Sequence, residues 1–229
     1  DSLSQLPITI TYTPESHREG LATYFRAYLK EFMDEWIAKN PKSNGDKHSL
    51  YRDGLRIFTT IDSRMQAMGE AAVDEHMENL QKEFFIQNTK IANPTAPFLE
   101  LREGEIDTLM VRTAYRTERW RKMKLAGIEE AEILASFYKK VPMRIFSWKG
   151  ERDTIMTPID SIRYYKHFLR ASLVSMEPQS GHVKTWVGGF NYKHFQYDQV
   201  KQGRRQIGST FKPFLYCLLY TSPSPRDRG

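Results

Sequence analysis

Arg205-Gln206-Ile207-Gly208-Ser209-Thr210-Phe211-Lys212-Pro213-Phe214 turns a polar loop into an apolar helix. Ser209 and Lys212 stand three positions apart, so a helix places hydroxyl and amine on one face, one turn from each other. That spacing gives a serine a base without a histidine. Ser and Lys are common, and the setting adds to the spacing. Gly208 precedes the serine, apolar Phe211 lies between the pair, and Gly188-Gly189 closes a strand upstream. Working outward, Ala171–Met176 and His182–Val187 read as strands joined by Glu177-Pro178-Gln179-Ser180-Gly181, which predicts a β-hairpin. Before it, Thr157-Pro158 opens a helix carrying Ile162, Tyr165 and Leu169. Met143–Trp148 reads as a strand ended by Lys149-Gly150. Antiparallel strands interleaved with helices give an α/β chain of the α+β kind.

The same reading extends toward the start. Glu19–Lys39 carries Tyr24, Phe25, Tyr28, Leu29, Phe32, Met33 and Trp36 at helical spacing, and Asn40-Pro41 stops it. Leu55–Ile61 is β-branched and aromatic and predicts a strand. Asp62 or Ser63 then caps a long helix through about Gln87, with Met65, Ala72, Met77, Leu80 and Phe84 facing inward. Asn93–Pro97 is a loop, Glu103–Lys124 one charged helix ending at Gly127, and Glu129 begins a shorter helix. Residues 1–17 look extended. No internal repeat is visible.

The 229 residues suffice for one large or two small domains. Net charge is +6, with Lys and Arg interleaved among Asp and Glu. That mild basic bias suits an anionic polymer or surface, and lacks the stripe or module of a nucleic-acid binder. No apolar run approaches the roughly 20 residues of a membrane span, and no signal peptide opens the chain. Cys217 is the single cysteine, which excludes a disulfide framework and a thiolate metal site within the chain.

Other conspicuous residues favour plain readings. His182 and His194 lack close metal-ligand spacing and read as surface or hydrogen-bonding groups. Gly188-Gly189 lacks a following Gly-Lys-Ser/Thr and reads as a strand end, not a phosphate loop. Phe190, Tyr192, Phe195 and Tyr197 pack a loop in preference to lining a groove. Arg112, Arg116, Arg119, Arg121, Lys122 and Lys124 form a basic helix, first a solvated face and second a contact for cell-wall polymer or a partner protein. Glu129 and Glu130 point to different helix faces and are not an acid/base pair.

Together, the hairpin, Gly188-Gly189 and Arg205-Gln206-x-Gly208-Ser209-Thr210-Phe211-Lys212-Pro213 resemble the approach to the active-site serine of class A penicillin-binding proteins. These are bifunctional, with a peptidoglycan glycosyltransferase domain followed by a transpeptidase domain. Tyr51–Asp62 with Gln66 looks like the family's linker, and Gly20-Leu21-Ala22-Thr23-Tyr24-Phe25-Arg26 like the exit from the glycosyltransferase domain. Ile207 stands where the family often has Pro, and Glu177 where Asp is usual. The family's Ser-x-Asn and Lys-Thr-Gly motifs, and its glycosyltransferase motifs, are not in the chain. The tail from Cys217 to Asp227 resembles an in-frame translation of a common sequencing adaptor, so residues 217–229 are expected to be non-native.

The resemblance implies a fragment: exit and linker over 1–48, linker and the start of the transpeptidase region over 49–165, and the start of the transpeptidase domain over 166–216. It implies an incomplete transpeptidase fold, an antiparallel sheet with flanking helices, with Ser209 opening a helix that is buried in the intact domain. Phe211 and Phe214 would pin that helix into the core. Ser209 would be the nucleophile, its backbone N–H an oxyanion donor, and Lys212 the general base, which requires a neutral amine well below the usual ~10.4. Stem peptides and glycan strands would be partners, β-lactams inhibitors, and cell-wall synthesis proteins further partners. No cofactor is implied for transpeptidation; a divalent cation belongs to the absent glycosyltransferase half. The place of action would be periplasmic, with a membrane anchor upstream of Asp1. The isolated fragment is expected to be inactive, with the apolar face of the Ser209 helix uncovered. Two rival readings are a non-catalytic interaction module and an acyl-serine hydrolase or sensor of the β-lactamase type.

Overall fold

A computed structural model describes residues 20–88, 95–98 and 101–221. The extended reading of residues 1–17, the start of the first helix at Glu19 and Asn93-Pro94 lie outside them. The fold is mixed α+β: two small antiparallel sheets with flanking helices.

The later sheet is the hairpin β3 (Leu173–Met176) and β4 (Val183–Val187), paired Leu173↔Val187 to Met176↔Val183 with an irregularity after Ser175. Helix α2 (Ser63–Gln87) lies across it, capped by Asp62, whose carboxylate accepts the N–H groups of Arg64 and Met65. Gly69 lets α2 approach closely, since a Cβ there would stand 2.7 Å from Thr185 Cγ2. Helix α1 (Thr23–Lys39) packs on β4, with Tyr28 stacked on Trp186 at 5.3 Å between centroids.

Two features of this half depart from the sequence reading. Leu55–Ile61 is not a strand. Its end covers the free edge of β4 by single contacts instead: Thr60 Oγ1 donates to Val183 O at 2.8 Å, and Asp62 N to Lys184 O at 2.9 Å. An edge covered in this way offers no template for another strand. The buried stripe of α2 is also rotated from the expected one. Met65, Ala72 and Leu80 are exposed, whereas Gln66, Gly69, Val73, Met77 and Gln81 are buried. The reason is that both glutamines satisfy main-chain groups. Gln66 Oε1 accepts Trp186 N–H at 2.7 Å while Nε2 donates to Trp186 O at 2.9 Å. Gln81 does the same for Leu169 N–H and His167 O, at 2.8 and 2.9 Å.

The middle of the chain holds α3 (Glu103–Ala114), α4 (Glu118–Leu125), α5 (Glu130–Ser136), the hairpin β1 (Val141–Ile145) and β2 (Arg152–Met156), and α6 (Pro158–Lys166). The single helix expected over Glu103–Lys124 is two. Thr117 ends one by donating to Ala114 O at 2.8 Å and starts the next by accepting Trp120 N–H at 3.2 Å. This corner lets Ala114 and Trp120 both reach the buried cluster of Ile133 and Phe137. The strand expected over Met143–Trp148 ends at Ile145, and Ser147–Gly150 forms a turn back into β2, which the sequence reading missed. Arg144 and Asp153 face each other across this hairpin and pair through two contacts of 2.8 and 2.9 Å. Phe146, buried beyond the strand end, joins Phe168 and Phe195 in an aromatic cluster that ties this unit to the loop after β4.

Candidate functional site

Everything between β4 and Ser209 depends on how the intervening loop is held. Gly188 and Gly189 are packing positions: a Cβ would stand 2.3 Å from Asp198 Oδ1 at the first and 2.4 Å from the Tyr24 hydroxyl at the second. Tyr24, in turn, donates to Phe195 O at 2.6 Å, and its burial raises the phenol well above its ordinary range. Asp198 is buried and receives Trp186 Nε1–H at 3.0 Å and Val200 N–H at 2.8 Å. The loop therefore hangs on two groups: Tyr24, read from the sequence only as an apolar position of the first helix, and Asp198, which the sequence reading did not name. Asp198 has a recognisable signal: an Asx-type bond to the N–H two residues on.

His194 has the hydrogen-bonding role expected of it. Nδ1 lies 3.0 Å from Tyr165 Oη, and Nε2 2.7 Å from Glu151 Oε1. Lys193 also meets Glu151 at 2.8 Å, and these two partners hold its carboxyl below the usual range, Lys193 first. Phe190 and Phe195 pack the loop, as expected. His182 lies on the surface near Glu177. Among the described residues no group of His, Cys, Asp and Glu is arranged to hold a metal ion.

Past Gln202 the character of the chain changes. Gly208, at φ +53, leads into a 3-10 turn over Gly208–Phe211, followed by α7 (Lys212–Thr221). Glycine is the residue that adopts this left-handed backbone without cost. Lys212 N–H donates to Ser209 O, which links the two candidate residues through the main chain. Among the described residues no side-chain hydrogen bond joins Ser209 to Lys212, and both are exposed.

The helix expected to be buried is not covered in this structure. Phe214 is 70% and Leu218 61% exposed, and Phe211 and Phe214 stack on each other at 5.8 Å instead of entering a core. An uncovered apolar face was expected for the chain by itself, and that is what is found. The expected basic helix is divided by the corner at Thr117, which places Arg112 on α3 and Arg119, Arg121, Lys122 and Lys124 on α4. No helix among the described residues is long and apolar enough to cross a membrane.

Comparison with known proteins places these features in a family context. The model of the penicillin-binding protein middle domain matches residues 93–169, a span that contains α3 to α6 and the β1–β2 hairpin. The chain is 44% identical over 222 residues to penicillin-binding protein 1A of Vibrio cholerae, covering 82% of this chain and 26% of that protein. It is 26% identical over 222 residues to penicillin-binding protein 1A of Aquifex aeolicus, covering 89% and 28%. Against penicillin-binding protein 1A of Rickettsia bellii it is 27% identical over 207 residues, covering 82% and 25%. The chain thus spans about a quarter of the length of these relatives. No solved structure matches it. The match to penicillin-binding protein 1A relatives is at the level of the family.

Proposed function

We propose that this chain belongs to a class A penicillin-binding protein and that Ser209 is its transpeptidase nucleophile. One observation carries the reading: Gly208-Ser209-x-x-Lys212 stands at a loop-to-helix transition, in a chain similar over most of its length to proteins named penicillin-binding protein 1A. The chemistry follows from residue types. Ser209 Oγ attacks the carbonyl of the penultimate D-Ala of a D-Ala-D-Ala stem peptide while the neutral Lys212 amine takes its proton. The C–N bond breaks, the proton passes to the leaving D-Ala amine, and an acyl-serine ester remains. An amine of a neighbouring stem peptide then displaces the serine and closes the crosslink. The Ser209 N–H, near the start of the helix, suits the developing oxyanion. A β-lactam acylates the same oxygen and leaves slowly. Glycan polymerisation, a periplasmic location and a membrane anchor belong to this proposal for the whole protein.

The test is a fluorescent penicillin applied to the whole gene product that contains this chain. Covalent label is expected on a denaturing gel, absent in Ser209→Ala and formed about 10²–10⁴-fold more slowly in Lys212→Ala, the range lost when a general base is removed. Label that survives in Ser209→Ala would overturn the assignment. Absence of label in the unaltered protein would favour a non-catalytic interaction module.

A further inference from the structure

The corner between α3 and α4 carries a feature that acyl transfer does not use. Tyr115, Arg116, Arg121, Lys124 and Leu125 border a surface groove of about 720 Å³, with Trp120 beneath. The corner itself builds it, because Thr117 turns the chain so that Arg116 in the corner after α3 and Arg121 on α4 face the same hollow. Tyr115 packs edge-on against Trp120 at 4.2 Å and still leaves 43% of its surface to solvent. Leu125, at the other end, is 82% exposed.

The cations are not balanced from within. Glu118 is the acidic residue in the lining, and it is taken by Lys122 at 3.0 Å, with Arg121 at 4.0 Å. Lys124 pairs with Glu130 at 2.5 Å. Among the described residues Arg116 stands in no ion pair. Arg116 thus faces the groove with no carboxylate partner among the described residues, and Arg121 holds only a long 4.0 Å contact to a carboxylate that Lys122 shares, between an exposed aromatic ring and an exposed leucine.

We infer that this groove docks an acidic polypeptide segment that also carries apolar side chains. Charge complementarity supplies the carboxylates that Arg116 and Arg121 would hold, and the apolar side chains cover Tyr115 and Leu125. A polyanionic glycan satisfies the arginines but has no side chain for Leu125. A lipid surface is flat, whereas these groups line a hollow.

The full chain is titrated into a fluorescein-labelled Asp-Glu-Leu-Glu-Asp-Leu peptide and followed by anisotropy. Saturable binding is expected, about tenfold weaker in the double variant Arg116→Gln, Arg121→Gln, which removes two exposed ion pairs with the peptide. Leu125→Ser is expected to weaken it about threefold, and the Asn/Gln version of the peptide to bind no better than the double variant. All three positions are exposed, and an unchanged far-UV spectrum verifies that the variants fold. Binding untouched by the arginine changes, or absent altogether, overturns the inference. So does labelled polygalacturonate, or a phosphatidylglycerol vesicle, that binds more tightly than the peptide with the same dependence on Arg116 and Arg121.

Discussion

Gln66 and Gln81 each answer an N–H and a C=O of a neighbouring segment from a fully buried position. Replacing Gln81 with Met keeps volume and apolar contact but strands Leu169 N–H and His167 O away from water. The expected cost is roughly 1–3 kcal/mol, the penalty of a buried group left unpaired. A urea titration should show a lower midpoint at an unchanged slope; an unmoved midpoint would mean that water reaches those groups. A second residue-scale effect depends on pH. Glu70 accepts Ala22 N–H at 2.7 Å and Gln66 Nε2–H at 2.8 Å, and Asp74, one turn along, lines with it a hollow between the start of α1, α2 and the loop after β4. Desolvation, and then the Glu70 charge, push Asp74 up to about 6. The folded state therefore holds this proton more tightly than the unfolded chain, and stability falls as pH rises from the ordinary carboxyl value through about 6. Asp74→Asn removes that loss. It should raise the urea midpoint at pH 8 and leave it nearly unchanged at pH 4, the gain being modest for a group half open to solvent. An equal gain at both pH values would place the effect outside titration.

Among the elements, packing across α2 decides between two opposing effects of one methyl group. Ala is the better helix former by about 1 kcal/mol. At Gly69 its Cβ would meet Thr185 Cγ2 at 2.7 Å, while at Gly104 of α3 nothing lies within 4 Å. Overpacking costs about 1–3 kcal/mol, so Gly69→Ala is expected to lower the melting temperature and Gly104→Ala to raise it slightly. Equal shifts in both would show that α2 can move off the hairpin. Such contacts explain what sequence could and could not show at this scale. Caps and turns are local chemistry, so Asp62 before α2, Thr157-Pro158 before α6 and the β3–β4 hairpin were legible. The stripe of α2 was not, because its buried glutamines answer main-chain groups about 90 and 120 residues away in sequence. The corner at Thr117 hides inside a run of strong helix formers. The charged Arg152-Asp153 in β2 does not look like a strand until Arg144 is seen opposite. Ser209-x-x-Lys212 was legible as a pattern, while Tyr24 holds its approach through Phe195 O, 171 residues away, and Asp198 adds to its local bond with Val200 N–H one to the Trp186 side chain on β4.

At the scale of the whole molecule, the chain divides into a packed part and an unpacked one. Up to Gln202, the loop is bound to β4 and α1: Gln199 N–H donates to Gly188 O at 2.9 Å, Gln202 N–H to Asp198 O at 2.8 Å, and Lys201 reaches Glu31 at 2.5 Å. From Arg204 to Thr221 every residue is exposed, and the main packing partner of α7 among the described residues is its own preceding turn. The aromatic and aliphatic side chains along this stretch, Phe211, Phe214, Leu215, Tyr216, Leu218 and Leu219, are all exposed. Such a surface stabilises nothing in the chain by itself, yet it binds apolar dyes and promotes association. Ending the chain after Gln202 should therefore shift the melting temperature by less than about 2 °C, because no buried contact is lost and a change of 1 kcal/mol moves a domain of this size by roughly 2–4 °C. The four tryptophans, Trp36, Trp120, Trp148 and Trp186, all precede the cut and report the melt in both forms. Anilinonaphthalene sulfonate fluorescence should fall sharply in the shortened chain. If instead the shortened chain melts well below the original, α7 is docked in solution, and Ser209 sits on a packed helix even without a covering domain. If the melt holds and the dye signal falls, the Ser209 helix needs a cover from outside these residues before Lys212 can lose water and act as a base.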